Sequence, residues 1–320
     1  MNKQYSTAAK VLKMLRETDG SLSGEAISTE LDLSRSAVWK AVDTLRKEGY
    51  VISGVKNRGY ELRAETQKLS QPGIESMLSS DWASTEVLVY EELDSTNTRA
   101  KQKLGDAKSY LICAVSQTAG RGRHGRSFYS PAGSGLYFSL AFPWQQEDSP
   151  VTLTTMAAVA VARVLEKTFG IEVGIKWVND LFYRDKKICG ILTEAVTNLE
   201  SGQTLSLIVG IGINLLPPKA GFPEEIKEKA AAVTEEKDSI NSSRLVAEIS
   251  NELAGMIRLL PSRAYLNEYR DRCFILGRAV MLDSGKTIVP EDISEDGALI
   301  YRENGELIAL SSGEVRIKEY

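Results

Sequence analysis

The sequence predicts an α+β protein in three parts: an N-terminal winged helix-turn-helix, a central mixed-sheet domain and a small C-terminal β-barrel. Three observations predict it. Apolar residues at helical spacing fill the first fifty positions and give way to a glycine-centred hairpin. Apolar strand-like runs then alternate with helical stretches through residues 74–272. After Gly277 only short strands at regular spacing remain, with glycine at their turns. The boundaries read from this pattern are 1–66, 67–274 and 275–320.

The elements follow in order. Residues 6–18 read as a helix capped by Ser6 or Thr7, with Val11, Leu12, Met14 and Leu15 as its apolar stripe. Ser23 caps a second helix that turns Ala26, Ile27 and Leu31 inward. Asp32-Leu33-Ser34 is a tight turn before a third helix, which Gly49 ends. The runs YVISG and YEL around residues 55–59 form the hairpin. Residues 64–73 contain a Pro-Gly pair and read as a linker. In the central domain the strand candidates are 86–93, 110–116, 135–142, 172–178, 188–196 and 204–213. The helix candidates there are 95–104, 152–169, 224–230 and 242–260.

The third helix is the candidate recognition helix. Its first half offers Ser34, Arg35, Ser36, Trp39 and Lys40, and in such folds that half meets base edges in the major groove. Lys56 and Arg58 in the wing are candidate phosphate contacts. The net charge of the chain is −4. Residues 1–66 carry 11 Lys/Arg against 9 Asp/Glu, which leaves the rest at −6. A mildly basic module on an acidic body fits a local DNA contact and excludes wrapping. One module grips few phosphates, so operator DNA would be bound by a homodimer.

The three cysteines are far apart and form no C-x-x-C pair, which points away from zinc and disulfides and towards a reducing, cytoplasmic setting. Neither a signal peptide nor a membrane span is expected.

The segment Gly120-Arg121-Gly122-Arg123-His124-Gly125-Arg126 follows the apolar run YLICAV. Glycines permit close backbone approach, and guanidinium groups suit phosphate or carboxylate, so the loop is expected to hold an anionic ligand. Its spacing satisfies G-x-G-x-x-G, but the dinucleotide reading needs a helix directly afterwards, and here a Pro- and Gly-containing stretch leads into a strand. Gly285-Lys286-Thr287 lacks the first glycine of a P-loop. Further polar islands sit at strand ends: Asp94-Ser95-Thr96-Asn97, Lys176-Trp177-Val178-Asn179-Asp180 and Lys186-Lys187-Ile188-Cys189-Gly190. Gly210, Gly212 and Asn214 lie in a strand, where glycine signals close approach of another group.

Together DSTN, SQTAGRGRHGR, KWVND, KKICGIL and VGIGIN, in this order, resemble the biotin–protein ligases, and the N-terminal winged helix makes the chain similar to the bifunctional class that also represses biotin operons. The resemblance covers essentially the whole chain. It implies a biotin/lipoate-ligase-like catalytic fold and an SH3-like C-terminal barrel. It also implies synthesis of biotinyl-5′-adenylate from biotin and ATP with Mg²⁺, then transfer of biotin to a lysine on a biotin carboxyl carrier domain of a carboxylase. On this resemblance Ser95, Thr96, Asn97 and Gln117 would line the biotin pocket, and Gly190, Gly210 and Gly212 would form its floor. Arg121, Gly122 and Arg123, with Gly120 in the same loop, would fold over the carboxylate and the adenylate phosphate. Lys187 would stabilise charge during adenylation, and Arg121, Arg123 and Lys187 would be the catalytic set. Lys176, Asn179 and Asn214 would serve ATP, and Asp180 would meet the incoming amine or the metal. No protein residue is expected to form a resident metal site. The chain departs from the family pattern at Val178, where proline is usual, and at Phe128, where tryptophan is common. His124 occupies a variable position. Two other readings stay open: a lipoate–protein ligase, and a repressor that senses biotin without catalysis.

Overall fold

The computed structural model describes residues 5–55, 58–104, 108–144, 149–197, 204–237, 240–313 and 315–317. By packing, the chain forms two units, Met1–Val89 with Glu236–Asn251, and Tyr90–Glu235 with Glu252–Tyr320. This grouping differs from the three segments read from the sequence: residues 67–89 fall in the first unit and 275–320 in the second.

In the first unit, α1 (Thr7–Glu17), α2 (Gly24–Glu30) and α3 (Arg35–Lys47) are each opened by a serine. Ser6, Ser23 and Ser34 accept from Ala9, Ala26 and Ala37 N–H respectively, which satisfies amide donors that a helix start leaves unpaired. Val11, Leu12, Ile27, Val38, Val42 and Leu45 form the fully buried centre of the three helices. Burying each such side chain is worth about 1.5–3 kcal/mol. The hairpin pairs β1 (Val51–Val55) with β2 (Gly59–Ala64). The expected linker contains a helix, α4 (Gln71–Glu75), because Pro72 lies in the first turn, where its missing N–H costs nothing, and Ser70 caps it.

The second unit is built on a seven-stranded sheet. Its strands are β3 (Glu86–Leu93), β4 (Tyr110–Gln117), β5 (Gly135–Pro143), β6 (Gly174–Lys176), β7 (Asp180–Tyr183), β8 (Lys186–Thr197) and β9 (Thr204–Asn214), in the spatial order β3-β4-β5-β9-β8-β7-β6. Helix α5 (Thr96–Lys103) follows β3, and α6 (Pro150–Phe169) crosses behind the sheet. Helix α6 is buried almost all round, from Thr152 to Leu165, as a helix enclosed by other elements must be. Helix α7 (Ser242–Arg258) begins in residues of the first unit and ends in residues of the second, α8 (Tyr265–Arg272) belongs to the second, and α8 has no counterpart among the sequence candidates.

The expected helix 224–230 is instead a run of turns. Its end is drawn onto β8, where Lys187 N–H donates to Lys229 O at 2.8 Å and Ala231 N–H donates to Lys187 O at 2.9 Å. Those partners compete with helical bonding. The C-terminal strands are β10 (Val280–Leu282), β11 (Thr287–Ile288), β12 (Pro290–Ile293), β13 (Leu299–Glu303), β14 (Glu306–Leu310) and β15 (Val315–Ile317). They make two small antiparallel sheets, β11-β10-β15 and β12-β13-β14. Among the described residues no helix is long and apolar enough to cross a membrane.

An ion network ties α6 to α8. Arg272 pairs with Glu166 at 2.5 Å and Glu268 at 2.7 Å, and Arg163 pairs with Glu268 at 2.6 Å. Burial alone would push the Glu268 carboxyl up. The hydrogen bonds from Arg163 and Arg272 outweigh it and hold the carboxyl below its ordinary value of 4.5. A carboxyl with a lowered folded-state pKa stabilises the fold above its unfolded value, and that stability is lost as pH falls through the lowered value. Glu268→Gln is therefore expected to lower the melting temperature at pH 7 and to flatten its decline below about pH 4.5. A decline as steep as wild type would show that this network carries no acid sensitivity.

Candidate functional site

The arginine loop is a closed hairpin. Thr118 and Ala119 N–H donate to Leu93 and Asp94 O, both at 2.9 Å, and seat its base on the end of β3. Phe128 N–H donates to Gly120 O at 2.8 Å and Gly122 N–H to Arg126 O at 2.7 Å. His124 and Gly125 form the tip in left-handed conformations, with φ of 54° and 74°. Gly120 serves the closure: a Cβ there would strike Phe128 O and lie 2.7 Å from Ser130 Oγ.

Beside this hairpin lies a cavity lined by Ser95, Thr96, Asn97, Gln117, Arg121, Gly122, Arg123, Lys176, Asn179, Lys187, Gly190, Gly210 and Gly212. Thirteen of the candidate ligand residues are thus brought together from β3–α5, β4, β6–β7, β8 and β9. Gly120 and Asn214 do not line it. Asn214 is nearly buried, and its carbonyl accepts from Val233 N–H at 2.9 Å. His124, Arg126, Ser127, Phe128, Trp177, Asp180, Ile191, Leu192 and Ile211 also line the cavity. Of these, Arg126, Ser127, Trp177, Ile191, Leu192 and Ile211 had no assigned role.

The floor is the face of the sheet where side chains are missing. Register sets Gly190 opposite Gly212 and Leu192 opposite Gly210 across β8 and β9, and Ser139 opposite Gly210 across β5 and β9. A Cβ on Gly210 would collide with the Asn97 amide, and one on Gly212 would lie 2.6 Å from the Phe128 ring. A Cβ on Gly190 would meet the same ring at 3.2 Å and Lys187 at 3.3 Å. The close approach signalled by these glycines is therefore made in part by the chain's own Asn97 and Phe128.

The polar end of the cavity is interlocked. Thr96 N–H donates to Gln117 Oε1 at 2.8 Å, and Gln117 Nε2 donates to Ser130 Oγ at 2.9 Å. Ser139, fully buried in β5, donates to Asn97 Oδ1 at 2.6 Å and lies 2.7 Å from Thr96 Oγ1. Asn97 Nδ2 donates to Leu192 O at 3.2 Å and Glu194 Oε2 at 2.8 Å. Ser139 and Glu194 escape sequence reading because each lies inside a strand, away from the polar strand-end motifs.

The opposite end is cationic. Lys187 Nζ lies 2.6 Å from Asp180 Oδ1, Arg121 Nη1 lies 3.2 Å from Glu194 Oε1, and Arg123 Nη1 donates to Asn179 Oδ1 at 3.3 Å. Asn179 is held by β8 in turn, donating from Nδ2 to Ile191 O at 2.9 Å. The Lys176–Asp180 turn contains a cis Trp177–Val178 peptide and is supported from behind by Tyr269, whose hydroxyl donates to Val178 O at 3.1 Å. Trp177 Nε1 donates to Gly297 O at 2.9 Å. Burial raises the Cys113 and Cys189 thiols far above their ordinary value and pushes Cys273 up to about 12, so none supplies a thiolate nucleophile. Arg121, Arg123, Arg126, Lys176 and Lys187 outnumber the carboxylates around the cavity, which suits it to an anion.

On the helix-turn-helix, Ser34, Arg35, Ser36, Trp39 and Lys40 are all exposed on one end of α3, and Arg58 is exposed in the wing. Trp39, at 55% exposure, is a large apolar side chain left out of the core. Arg35 pairs with Glu25 at 3.2 Å. Lys56 lies outside the described residues.

Comparison with known proteins agrees with both parts. Residues 89–214 match the Biotin/lipoate A/B protein ligase family, and residues 7–61 match an HTH domain. The chain is 37% identical to the bifunctional ligase/repressor BirA of Bacillus subtilis (strain 168) over 67% of this chain and 66% of that protein. It is 31% identical to the bifunctional ligase/repressor BirA of Escherichia coli (strain K12) over 92% of both chains. Among solved structures, the biotin protein ligase from Aquifex aeolicus in complex with biotin and ATP aligns with a TM-score of 0.60 at 27% identity, covering 73% of this chain and 99% of that one. With the arginine hairpin, the glycine floor and the helix-turn-helix in one polypeptide, the chain belongs to the biotin protein ligases, and among them resembles the bifunctional ligase/repressors over most of its length.

Proposed function

We propose that this ligase forms biotinyl-5′-adenylate from biotin and Mg·ATP and then passes biotin to a lysine on the biotin carboxyl carrier domain of a biotin-dependent carboxylase. The observation that carries this reading is the convergence of Arg121, Arg123 and Lys187 on one cavity above a sheet face bared by glycine. The first step joins a carboxylate oxygen of biotin to the α-phosphorus of ATP and expels pyrophosphate. In the second, the lysine amine attacks the acyl carbon and AMP leaves. Neither step needs a protein nucleophile, so rate enhancement comes from positioning and from cations aimed at developing negative charge.

In this scheme Ser95, Thr96, Asn97 and Gln117 shape the end that receives the ureido ring. Arg121, Gly122 and Arg123, carried by the hairpin that Gly120 closes, cover the carboxylate and phosphate. Lys187, held in place by Asp180, stabilises the charged phosphate. Gly190, Gly210 and Gly212 leave room for the ligand's rings. Lys176 and Asn179 serve the nucleotide, and Asn214 acts from outside the cavity through the segment it holds at Val233. Among the described residues no group of three His, Cys, Asp or Glu side chains could hold a metal ion. Mg²⁺ would enter as the ATP complex, bound chiefly by substrate phosphates.

Catalysis is assigned to residues 67–274, DNA reading to 1–66 and support to the strands of 275–320, and the protein is proposed to work in the cytoplasm. The DNA contacts would be Ser34, Arg35, Ser36, Trp39 and Lys40 on α3, with Lys56 and Arg58 on phosphates. A single small module gives a weak complex, so the adenylate-bound chain is proposed to dimerise on a two-fold symmetric operator and repress biotin genes.

Incubation with biotin, ATP and an acceptor domain is expected to label one lysine. No label would sink the ligase reading and leave the sensing repressor, and transfer of lipoate instead would favour the lipoate ligase. Lys187→Ala is expected to slow adenylate formation by about 10²–10³-fold with a smaller change in biotin binding. An unchanged single-turnover rate would remove Lys187 from the chemistry.

Arg123→Gly is expected to release adenylate faster, by about tenfold or more, and to label lysines with less selectivity. Retention equal to wild type would refute a covering role for the hairpin. Sedimentation with biotin and ATP is expected to show a shift towards dimer, and Arg58→Ala to reduce the salt slope of operator binding by about 1 per protomer. Ligand-independent sedimentation would exclude the dimer switch.

A further inference from the structure

Building on the ligase reading, we propose that Glu194 is a positioning residue with two separable tasks: it orients the Asn97 amide at the buried side of the cavity and tethers Arg121 of the hairpin beside it. Glu194 lies on β8 two residues beyond Leu192 and four beyond Gly190, so strand alternation puts all three on the cavity face. Its carboxylate accepts from Asn97 Nδ2 at 2.8 Å through Oε2 and stands 3.2 Å from Arg121 Nη1 through Oε1. One carboxylate thus joins a residue of α5 to a residue of the loop after β4.

The first task follows from the donor inventory of an amide. Asn97 Nδ2 has two protons, and the structure gives both to β8, one to Leu192 O and one to Glu194. Asn97 Oδ1 takes the Ser139 hydroxyl and abuts Gly210. These partners fix which way the amide faces. Asn97 therefore acts as a wall of set orientation, and Ser139 and Glu194 set it. The same hydroxyl lies 2.7 Å from Thr96 Oγ1, so the setting extends to the neighbouring side chain of the pocket.

The second task follows from exposure. The Arg121 side chain is 47% exposed, whereas Glu194 is 20% exposed. The anchored end is therefore the glutamate, and the arginine is the mobile end, drawn to the edge of β8. Nothing in the hairpin's own backbone bonds, which run between Gly120, Gly122, Arg126 and Phe128, attaches it to β8. The ion pair adds a polar attachment to the packing of the Phe128 ring near Gly190, and salt screens it because it is partly exposed.

Two substitutions separate the tasks. Glu194→Gln keeps a carbonyl acceptor for Asn97 and loses the charge that holds Arg121. Glu194→Ala loses both. Binding of biotin, and dissociation of a non-hydrolysable biotinyl-adenylate analogue, would be measured on the full chain. Glu194→Gln is expected to bind biotin within about twofold of wild type and to release the analogue several-fold faster at low salt, the difference shrinking as salt rises. In an Arg121→Gln background it is expected to add no further effect, since the pair is already broken. Glu194→Ala is expected to release the analogue equally fast and in addition to weaken biotin on the order of tenfold.

Equal biotin affinity in the Gln and Ala variants would overturn the orienting task. Analogue release unchanged by Glu194→Gln, or an effect that persists without Arg121, would overturn the tether. Glu194→Gln, being isosteric, keeps the tether testable should the alanine variant fail to fold, and Asn97→Ala then tests the orienting task, with an equal loss of biotin affinity expected. A wild-type chain that binds neither ligand would overturn the ligase reading itself, whereas wild-type binding with unaltered variants removes only the role of Glu194.

Discussion

The cavity exists because glycines bare part of two adjacent strands where they meet it. Gly190 and Gly212 face one another across β8 and β9, and Gly210 lies two pairs further along, opposite Ser139 of β5. Onto that bare face fold Asn97 from α5 and Phe128 from the end of the arginine hairpin. Any Cβ on Gly210 or Gly212 would expel one of them. The polar interlock of Thr96, Gln117, Ser130, Ser139 and Asn97 depends on this contact, and so does the seat of the hairpin. The floor is best understood as a socket for the chain's own side chains, over which a ligand's rings are then laid.

The chemistry follows from what surrounds the socket. Cations line one end, each with a partner that orients it: Asp180 for Lys187, Asn179 for Arg123 and Glu194 for Arg121. Thiols stay protonated in the apolar interior. A site with oriented cations and no nucleophile suits the activation of a carboxylate as a mixed anhydride, in which the protein stabilises charge and excludes alternatives.

The strand-end motifs were legible because they break an apolar pattern abruptly. Ser95 to Asn97, Gln117, Arg121 to Arg123, Lys176, Asn179, Lys187 and the strand glycines all reach one cavity. What was hidden has a physical cause. Ser139 and Glu194 find their partner Asn97 at sequence separations of 42 and 97 residues, which no local spacing reveals. Helix α4 hid behind Pro72-Gly73, a pair that breaks a helix interior but is tolerated in its first turn. Residues 224–230 have helical composition, yet they form turns whose end is paired with the Lys187 backbone through Lys229 O and Ala231 N–H, a long-range contact that no local spacing reveals. Helix α8 is short and rich in charge, and only Tyr265, Leu266 and Tyr269 carry its buried side.

The indole of Trp177 donates to a carbonyl in the turn between β12 and β13, at Gly297. Trp177 lines the cavity, but Gly297 does not, and neither does any other residue after Gly212. The stretch that matches the Biotin/lipoate A/B protein ligase family, residues 89–214, thus ends well before an atom to which its own Trp177 donates. A stretch matched by its sequence and the set of atoms that braces it need not share a boundary: the turn that receives the Trp177 indole lies outside the one and inside the other.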